Sequence, residues 1–148
     1  MIRSVLLVCL GNICRSPMAE GMLKQRLPGL SASSAGLMAL VGHGADPIAV
    51  EMMAGLGIDI SGHRARMINE AHVRDADLVL VMDSQQKQHI LMHYPYVKGK
   101  VFRLGEQDIA DPYQQGADVY RAVFEAIDSA VDDWVGRLRN IRQQQGYH

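Results

Sequence analysis

A three-layer α/β fold, a parallel sheet flanked by helices with a tight loop after its first strand, is predicted by three observations. Apolar runs of strand length alternate with helical patterns along the chain. The first apolar run turns at once into a helix through a short Gly-containing segment, and the chain closes on one long amphipathic helix. No linker, repeat or low-complexity segment divides the 148 residues, so a single domain spanning 1–148 is expected, large enough to bury a respectable core.

Ser4-Val5-Leu6-Leu7-Val8 reads as the first, buried strand. Ser16 is the expected N-cap and Pro17 the first residue of the following helix, in which Met18, Ala19, Met22, Leu23 and Leu27 recur at helical spacing. Leu30 to Gly36 is a second strand, rich in small residues. Asp46 caps a helix that Pro47 opens and that runs through Ile48, Val50, Met52 and Met53 to Gly57. Asp77 to Met82 is a strongly apolar third strand, Ser84 to about Tyr94 is helical and ends before Pro95, and Lys100 to Leu104 is the fourth strand. The final helix carries Val119, Val123, Ile127, Val131, Trp134, Val135, Leu138 and Ile141 as its apolar stripe. In such a sheet the ligand lies at the carboxyl ends of the strands, where Cys9 stands.

The segment Cys9-Leu10-Gly11-Asn12-Ile13-Cys14-Arg15-Ser16 is thus a tight strand-to-helix turn. Backbone N–H groups converge in such a turn, and the helix N-terminus adds partial positive charge, which makes an anion cradle. The cradle also holds a nucleophile and a guanidinium. A helix N-terminus and a nearby Arg favour the thiolate over the thiol, and Arg15 can fold back to bind two oxygens of a phosphoryl group side by side. Gly11 relieves crowding where backbone approaches ligand, and Asn12 tolerates a left-handed conformation.

Other readings of the loop fit less well. A nucleotide-binding loop ends Gly-Lys-Ser/Thr, whereas this one ends Cys-Arg-Ser-Pro. A zinc site needs more thiolates or close histidines than Cys9 and Cys14 provide, and a structural disulfide does not suit a chain with no secretory signal. Two inert buried cysteines are the default for any pair, but not with Arg, Ser and Pro in this register after a strand. The formal net charge of −1 gives no global field to recruit nucleic acid or an anionic membrane, and no stretch has the length of a spanning helix. Met1-Ile2-Arg3 and the apolar run mimic a signal peptide only as far as Gly11-Asn12. A cytoplasmic enzyme is expected.

Expulsion of an alkoxide or phenolate calls for a positioned acid. Asp111, in Asp111-Pro112-Tyr113 after the fourth strand, is the candidate, with Asp108 as fallback. Asp before Pro often just starts a turn. A Cys-x5-Arg loop in the same domain makes the catalytic reading the better one.

Cys9-Leu10-Gly11-Asn12-Ile13-Cys14-Arg15-Ser16-Pro17-Met18-Ala19-Glu20, together with Asp111-Pro112-Tyr113, resembles the low-molecular-weight protein tyrosine phosphatases, and the similarity extends over the chain through Ser34-Ala35-Gly36, Asp46-Pro47 and Val79 to Asp83. The resemblance implies strand order 2-1-3-4, a phosphocysteine intermediate on Cys9, and oxyanion binding by Arg15 and the loop. It implies Asp111 as acid and then base, with no metal and no organic cofactor. It further implies that Ser16 bonds the thiolate, that Asn12 holds the strained loop with His63 as imidazole partner, and that Leu10, Leu40 and Tyr113 wall the phenyl pocket. A solvated loop histidine is the alternative for His63. Eukaryotic relatives often carry an aromatic near Leu40 and a second Tyr where Gln114 stands, which implies a less enclosed pocket and no tyrosine-pair regulation. Cys14 implies a reversible disulfide with the nucleophile, against the plainer reading of a small apolar filler.

Within the same fold, arsenate reductases use further downstream cysteines, which are absent after Cys14, and protein-arginine phosphatases carry Thr where Ile13 stands. A catalytically silent phosphotyrosine-binding module needs neither nucleophile nor acid. Leu40 and the segment Ala39 to Pro47 resemble the bacterial branch of the family, which implies a phosphotyrosine protein as partner, namely a bacterial tyrosine autokinase controlling exopolysaccharide or capsule export. No nucleic acid or membrane insertion is expected, and the enzyme is expected to act as a monomer.

Overall fold

The computed structural model describes residues 1–146; the last two residues of the expected 1–148 domain lie outside the described residues. Four parallel strands, β1 (Ser4–Cys9), β2 (Ser31–Gly36), β3 (Leu78–Val81) and β4 (Val101–Arg103), form one sheet in the order β2-β1-β3-β4. That is the order the family resemblance implies. β1 is central: Ser4 pairs with Ser31 and Cys9 with Gly36 on one side, while Val5 to Val8 pair with Leu78 to Val81 on the other.

Strand alternation divides the apolar residues between two cores. Val5, Leu7, Cys9, Leu78 and Leu80 pack with α1 (Arg15–Arg26), α2 (Pro47–Ala54) and α5 (Ala117–Gly146). Leu6, Val8, Val79 and Val81 pack with α3 (Glu70–Asp75) and α4 (Ser84–His93). The odd register of β1 therefore turns Cys9 toward the α1 and α5 side.

Two expectations are corrected. α1 begins at Arg15, with Cys14 in the cap position and no side-chain cap hydrogen bond, so Ser16 is not the cap. Its hydroxyl is committed to Cys9 instead. In α5, Val119 is 39% exposed and the buried stripe starts at Tyr120, which is fully buried; Val123, Ile127, Val131, Trp134, Val135 and Leu138 follow as expected, and Ile141 is partly buried. The Trp134 indole N–H donates to the Leu104 carbonyl at 2.7 Å, tying α5 to the segment after β4. α3 and a 3-10 turn over Pro95–Val97 have no counterpart in the sequence reading. α2 ends at Ala54, and Gly57 reverses the chain at φ +74.

Candidate active site

β1 ends at Cys9, and the tight turn that follows is held by backbone hydrogen bonds from the loop after β2. Leu37 N–H donates to Cys9 O, Met38 N–H to Leu10 O and Leu40 N–H to Gly11 O, at 3.0, 2.9 and 3.1 Å. The uncapped start of α1 leaves first-turn N–H groups free of side-chain acceptors, the condition under which an anion can bind there. Asn12 adopts φ +58, a conformation in which Asn costs less than most residues.

The hydrogen bonds around Asn12 leave the Ser16 hydroxyl proton available to Cys9. Arg66 N–H can only donate, and it donates to Asn12 Oδ1 at 3.0 Å. The Nδ2 group must therefore face the serines; it donates to Ser16 Oγ at 2.8 Å and to Ser34 Oγ at 3.0 Å. Ser34 in turn donates to the carboxylate of Glu20 at 2.5 Å. With its oxygen already accepting from Asn12, the Ser16 hydroxyl has its proton free for Cys9 Sγ, 2.8 Å away. Asn12, Ser16 and Ser34 are almost wholly buried, so water does not compete for these bonds. His63 Nε2 lies 2.7 Å from the Asn12 carbonyl oxygen.

Arg15 is buried, yet its guanidinium is held by three partners from separate segments. Nη1 donates to Ile109 O at 2.7 Å and lies 3.8 Å from Asp83 Oδ2; Nη2 lies 3.8 Å from Asp111 Oδ2. The fork carries five donors, so several remain for an oxyanion. Asp111 is held by the Tyr113 N–H, which donates to Oδ1 at 3.1 Å across Pro112. The fallback acid, Asp108, is placed elsewhere: it accepts from the Ser84 amide and hydroxyl and from Arg103, each at 3.0 Å. The hydrogen bond from Arg103 holds its carboxyl below the usual range.

Cys9, Ile13, Arg15, Leu40, Asp111 and Tyr113 line one cleft of about 230 Å³, with Leu10, Gly11, Cys14 and Met38 completing it. Its walls are mostly apolar and its floor carries the thiol and the guanidinium, as an aryl phosphate requires. A larger groove of about 600 Å³ lies between α1 and residues 57–63, with Pro17, Glu20 and His63 among its walls. It contains none of Cys9, Arg15 and Asp111, so its size carries no chemistry.

Cys14 is buried beside the loop, with its Sγ donating to Asp46 Oδ2 at 3.5 Å; the Tyr120 hydroxyl donates to the same oxygen at 3.2 Å. Burial pushes the Cys14 thiol up to about 12, the Tyr120 hydroxyl opposing and Asp46 adding to the shift. At neutral pH it is a protonated thiol next to the nucleophile. Both cysteines are free.

Four residues given no role in the sequence reading complete the site: Asp83, Glu20, Ser34 and Arg66. Asp83 announces itself in sequence only as the N-cap of α4, where it accepts from Gln86 N–H at 2.8 Å; its other oxygen faces Arg15. Gly36 is equally constrained. A Cβ there would lie 2.6 Å from the Leu10 carbonyl oxygen, with the Cβ atoms of Asn12 and Ala39 at 3.0 and 3.1 Å, so no flexible side-chain end is there to move away. Gly36→Ala is expected to lower stability by about 1–3 kcal/mol through overpacking and to reduce activity, because the displaced atom belongs to the cradle. Thermal melting combined with turnover checks this; a variant with wild-type melting and rate would contradict it.

The chain is similar to known proteins over nearly its whole length. Residues 4–145 match the family described as low molecular weight phosphotyrosine protein phosphatase. A probable low molecular weight protein-tyrosine-phosphatase of Ralstonia nicotianae, EpsP, is 54% identical over 95% of this chain and 99% of its own length. The tyrosine phosphatase Wzb of Escherichia coli K30, solved in complex with sulphate, superposes with a TM-score of 0.90 at 34% identity, covering 93% of this chain and 99% of that one. The YwlE arginine phosphatase of Geobacillus stearothermophilus also superposes with a TM-score of 0.90 at 34% identity, over 95% and 96% of the two chains.

Proposed function

The chain belongs to the low molecular weight phosphotyrosine protein phosphatase family and is a protein-tyrosine-phosphatase; on that premise we propose that it works through a phosphocysteine on Cys9, with Asp111 moving the proton in both steps. The observation that carries this reading is the convergence, in one cleft, of Cys9 facing a donating Ser16 hydroxyl, the buried Arg15 fork, and the Asp111 carboxyl 3.8 Å from that fork.

In the first step the Cys9 thiolate attacks phosphorus opposite the tyrosyl oxygen. The S–P bond forms, the P–O bond to the ring breaks, and Asp111 passes its proton to the departing phenolate. Arg15 and the loop N–H groups hold the equatorial oxygens, where charge is spread in the transition state. In the second step water attacks the phosphocysteine. Asp111, now a carboxylate, takes the proton of that water, and the S–P bond breaks to return the thiolate to the Ser16 hydroxyl. The products are tyrosine and inorganic phosphate.

Leu10, Leu40 and Tyr113 grip the phenyl ring in this account, and Ile13, 8% exposed, closes the pocket with a side chain that cannot hydrogen-bond. That chemistry suits an aryl ester and leaves the polar edge of a phosphoguanidinium unpaired, despite the likeness to an arginine phosphatase. The proposed substrate is a phosphotyrosine protein, specifically a bacterial tyrosine autokinase controlling exopolysaccharide or capsule export. Support comes from similarity to bacterial relatives over nearly their whole length. The proposed setting is the cytoplasm, with the enzyme acting as a monomer; among the described residues no helix is long and apolar enough to cross a membrane. Cys14, the protonated neighbour of the nucleophile, is proposed as its reversible disulfide partner under oxidation.

Phosphate release from matched phosphotyrosine, phosphoserine and phosphoarginine peptides tests the reading. Turnover confined to phosphotyrosine is the expected result. A preference for phosphoarginine would mean that Ile13 does not select the ring.

A further inference from the structure

A cleft of about 230 Å³ accommodates a phosphotyrosine side chain and little more, so the substrate's backbone and the neighbouring residues must leave across the rim. On one side that rim is apolar to an unusual degree for a chain with 21% charged residues: between Gly36 and Ala45 there is no Asp, Glu, Lys or Arg. Met38 is 70% exposed and Val41 63% exposed, beside Leu10 and Leu40 at 41% and 38%. Clustered exposed apolar side chains next to a reactive cleft mark a contact surface.

The ledge is also rigid. Met38 and Leu40 donate backbone hydrogen bonds to Leu10 and Gly11 of the phosphate loop. Val41 stands at the corner of a type II turn closed by His43 N–H to Leu40 O at 3.0 Å, with Gly42 at φ +85. The turn is pinned from behind by Gly42 N–H to Ala65 O and Ala65 N–H to His43 O. Arg64, which follows in the segment that pins the turn, is folded back on the carbonyls of His63 and Ser61 at 2.7 and 3.4 Å. The other side of Leu10 is different in kind. There a groove shared with Arg15, Asp111 and Leu37 carries the polar side chains Asp83, Gln85, Gln86 and His89.

We propose that the Met38–Val41 ledge is a specificity surface that reads an apolar residue adjacent to the phosphotyrosine of the protein substrate. The proposal rests on the phosphotyrosine reading above and names what that reading leaves open, the chemistry of the flanking sequence. An apolar neighbour laid on the ledge removes Val41 and Met38 from water without moving a loop, whereas an acidic neighbour finds no Lys or Arg among residues 36–45, the exposed His43 being the one ionisable side chain there, and loses hydration. A small aryl phosphate does not reach Val41, which lies outside the cleft lining.

The test compares kcat/KM for two phosphotyrosine peptides, identical except for Leu or Glu next to the phosphotyrosine on either side, and for p-nitrophenyl phosphate, in wild type, Val41→Ser and Val41→Lys. Wild type is expected to favour the Leu peptides by about three- to tenfold. Val41→Ser should shrink that ratio, Val41→Lys should tilt it toward Glu, and p-nitrophenyl phosphate should be hydrolysed alike by all three. Equal use of Leu and Glu peptides by wild type, or a ratio unmoved by both variants, would overturn the ledge alone. Equal loss on p-nitrophenyl phosphate would also overturn it, by showing a merely structural role. No turnover of any phosphotyrosine peptide would overturn the phosphotyrosine reading and the ledge with it, a pattern distinct from turnover without discrimination.

Discussion

Cys9→Ser is expected to bring phosphotyrosine turnover down to background, a loss on the order of 10⁶ for removal of a nucleophile that acts as one unit with its partners. The substitution changes sulfur to oxygen at a site that is only 2% exposed and faces the Ser16 hydroxyl at 2.8 Å, so the fold should persist. A serine hydroxyl is a weak nucleophile without an adjacent base, and among the described residues no imidazole lines the cleft to act as one. Arg15 and the loop N–H groups remain, so inorganic phosphate should still bind. Calorimetric titration with phosphate alongside a phosphate-release assay checks both halves. Substantial turnover by the serine variant would remove Cys9 from the nucleophile's role; lost phosphate binding would show that the variant had damaged the cradle itself.

Asp111→Asn carries the second large effect. The amide keeps the side chain's size and can still accept from the Tyr113 N–H, but it has no proton to give and no carboxylate to take one back. Hydrolysis of phosphotyrosine or phenyl phosphate should slow by about 10²–10⁴, the usual contribution of a positioned acid. p-Nitrophenyl phosphate should suffer less, because nitrophenolate leaves with little help. Asp108→Asn is the matched control: its carboxylate is engaged with Arg103 and Ser84, away from the cleft lining, so near wild-type rates are expected. Full activity of Asp111→Asn with impaired Asp108→Asn would reverse the assignment.

The parts of the fold that were legible in sequence are those where burial is written as a continuous pattern. β3 and, after Ser4, β1 are apolar and sit between other strands, and α2 starts at Asp46, whose side chain caps it at Ile48; the sequence reads α4 as starting at Ser84, where the structure adds the Asp83 cap at Gln86. α3 was invisible because Val73 is its single buried residue in an otherwise charged stretch, and its cap, Asn69, reads equally well as a loop residue. Ser16 misled for a related reason. Ser-Pro before an apolar helical pattern signals a cap, but the hydroxyl is diverted to sulfur, and the helix starts at Arg15 with its first N–H groups unclaimed by any side chain.

The candidate site was legible where one loop contains it. Cys9 to Ser16 is contiguous, and its chemistry follows from residue types and spacing. What it lacked were contributions from distant segments: the Asp83 oxygen facing Arg15, and the Arg66 N–H, Ser34 and Glu20 that set the direction of the hydrogen bonds around Asn12. Each depends on strand register, since Ser34 is placed opposite Leu7 by the pairing of β1 with β2, and nothing local in the sequence reports that pairing. The apolar stripe of α5 shows the same limit on a finer scale. A one-residue shift exchanges the exposed Val119 for the buried Tyr120, whose hydroxyl then reaches Asp46 under the loop.

The central claim is that phosphorus passes through the sulfur of Cys9. Acid quench of the enzyme within its first turnovers on a phosphotyrosine peptide, followed by mass analysis of the proteolytic fragment containing Cys9 and Cys14, tests it most directly. A single phosphoryl group on the Cys9 fragment, formed and lost at rates that account for steady-state turnover and absent from Cys9→Ser under the same conditions, is the predicted result. Phosphate release at the full rate with no adduct on that fragment, or with the adduct on another residue, would contradict it.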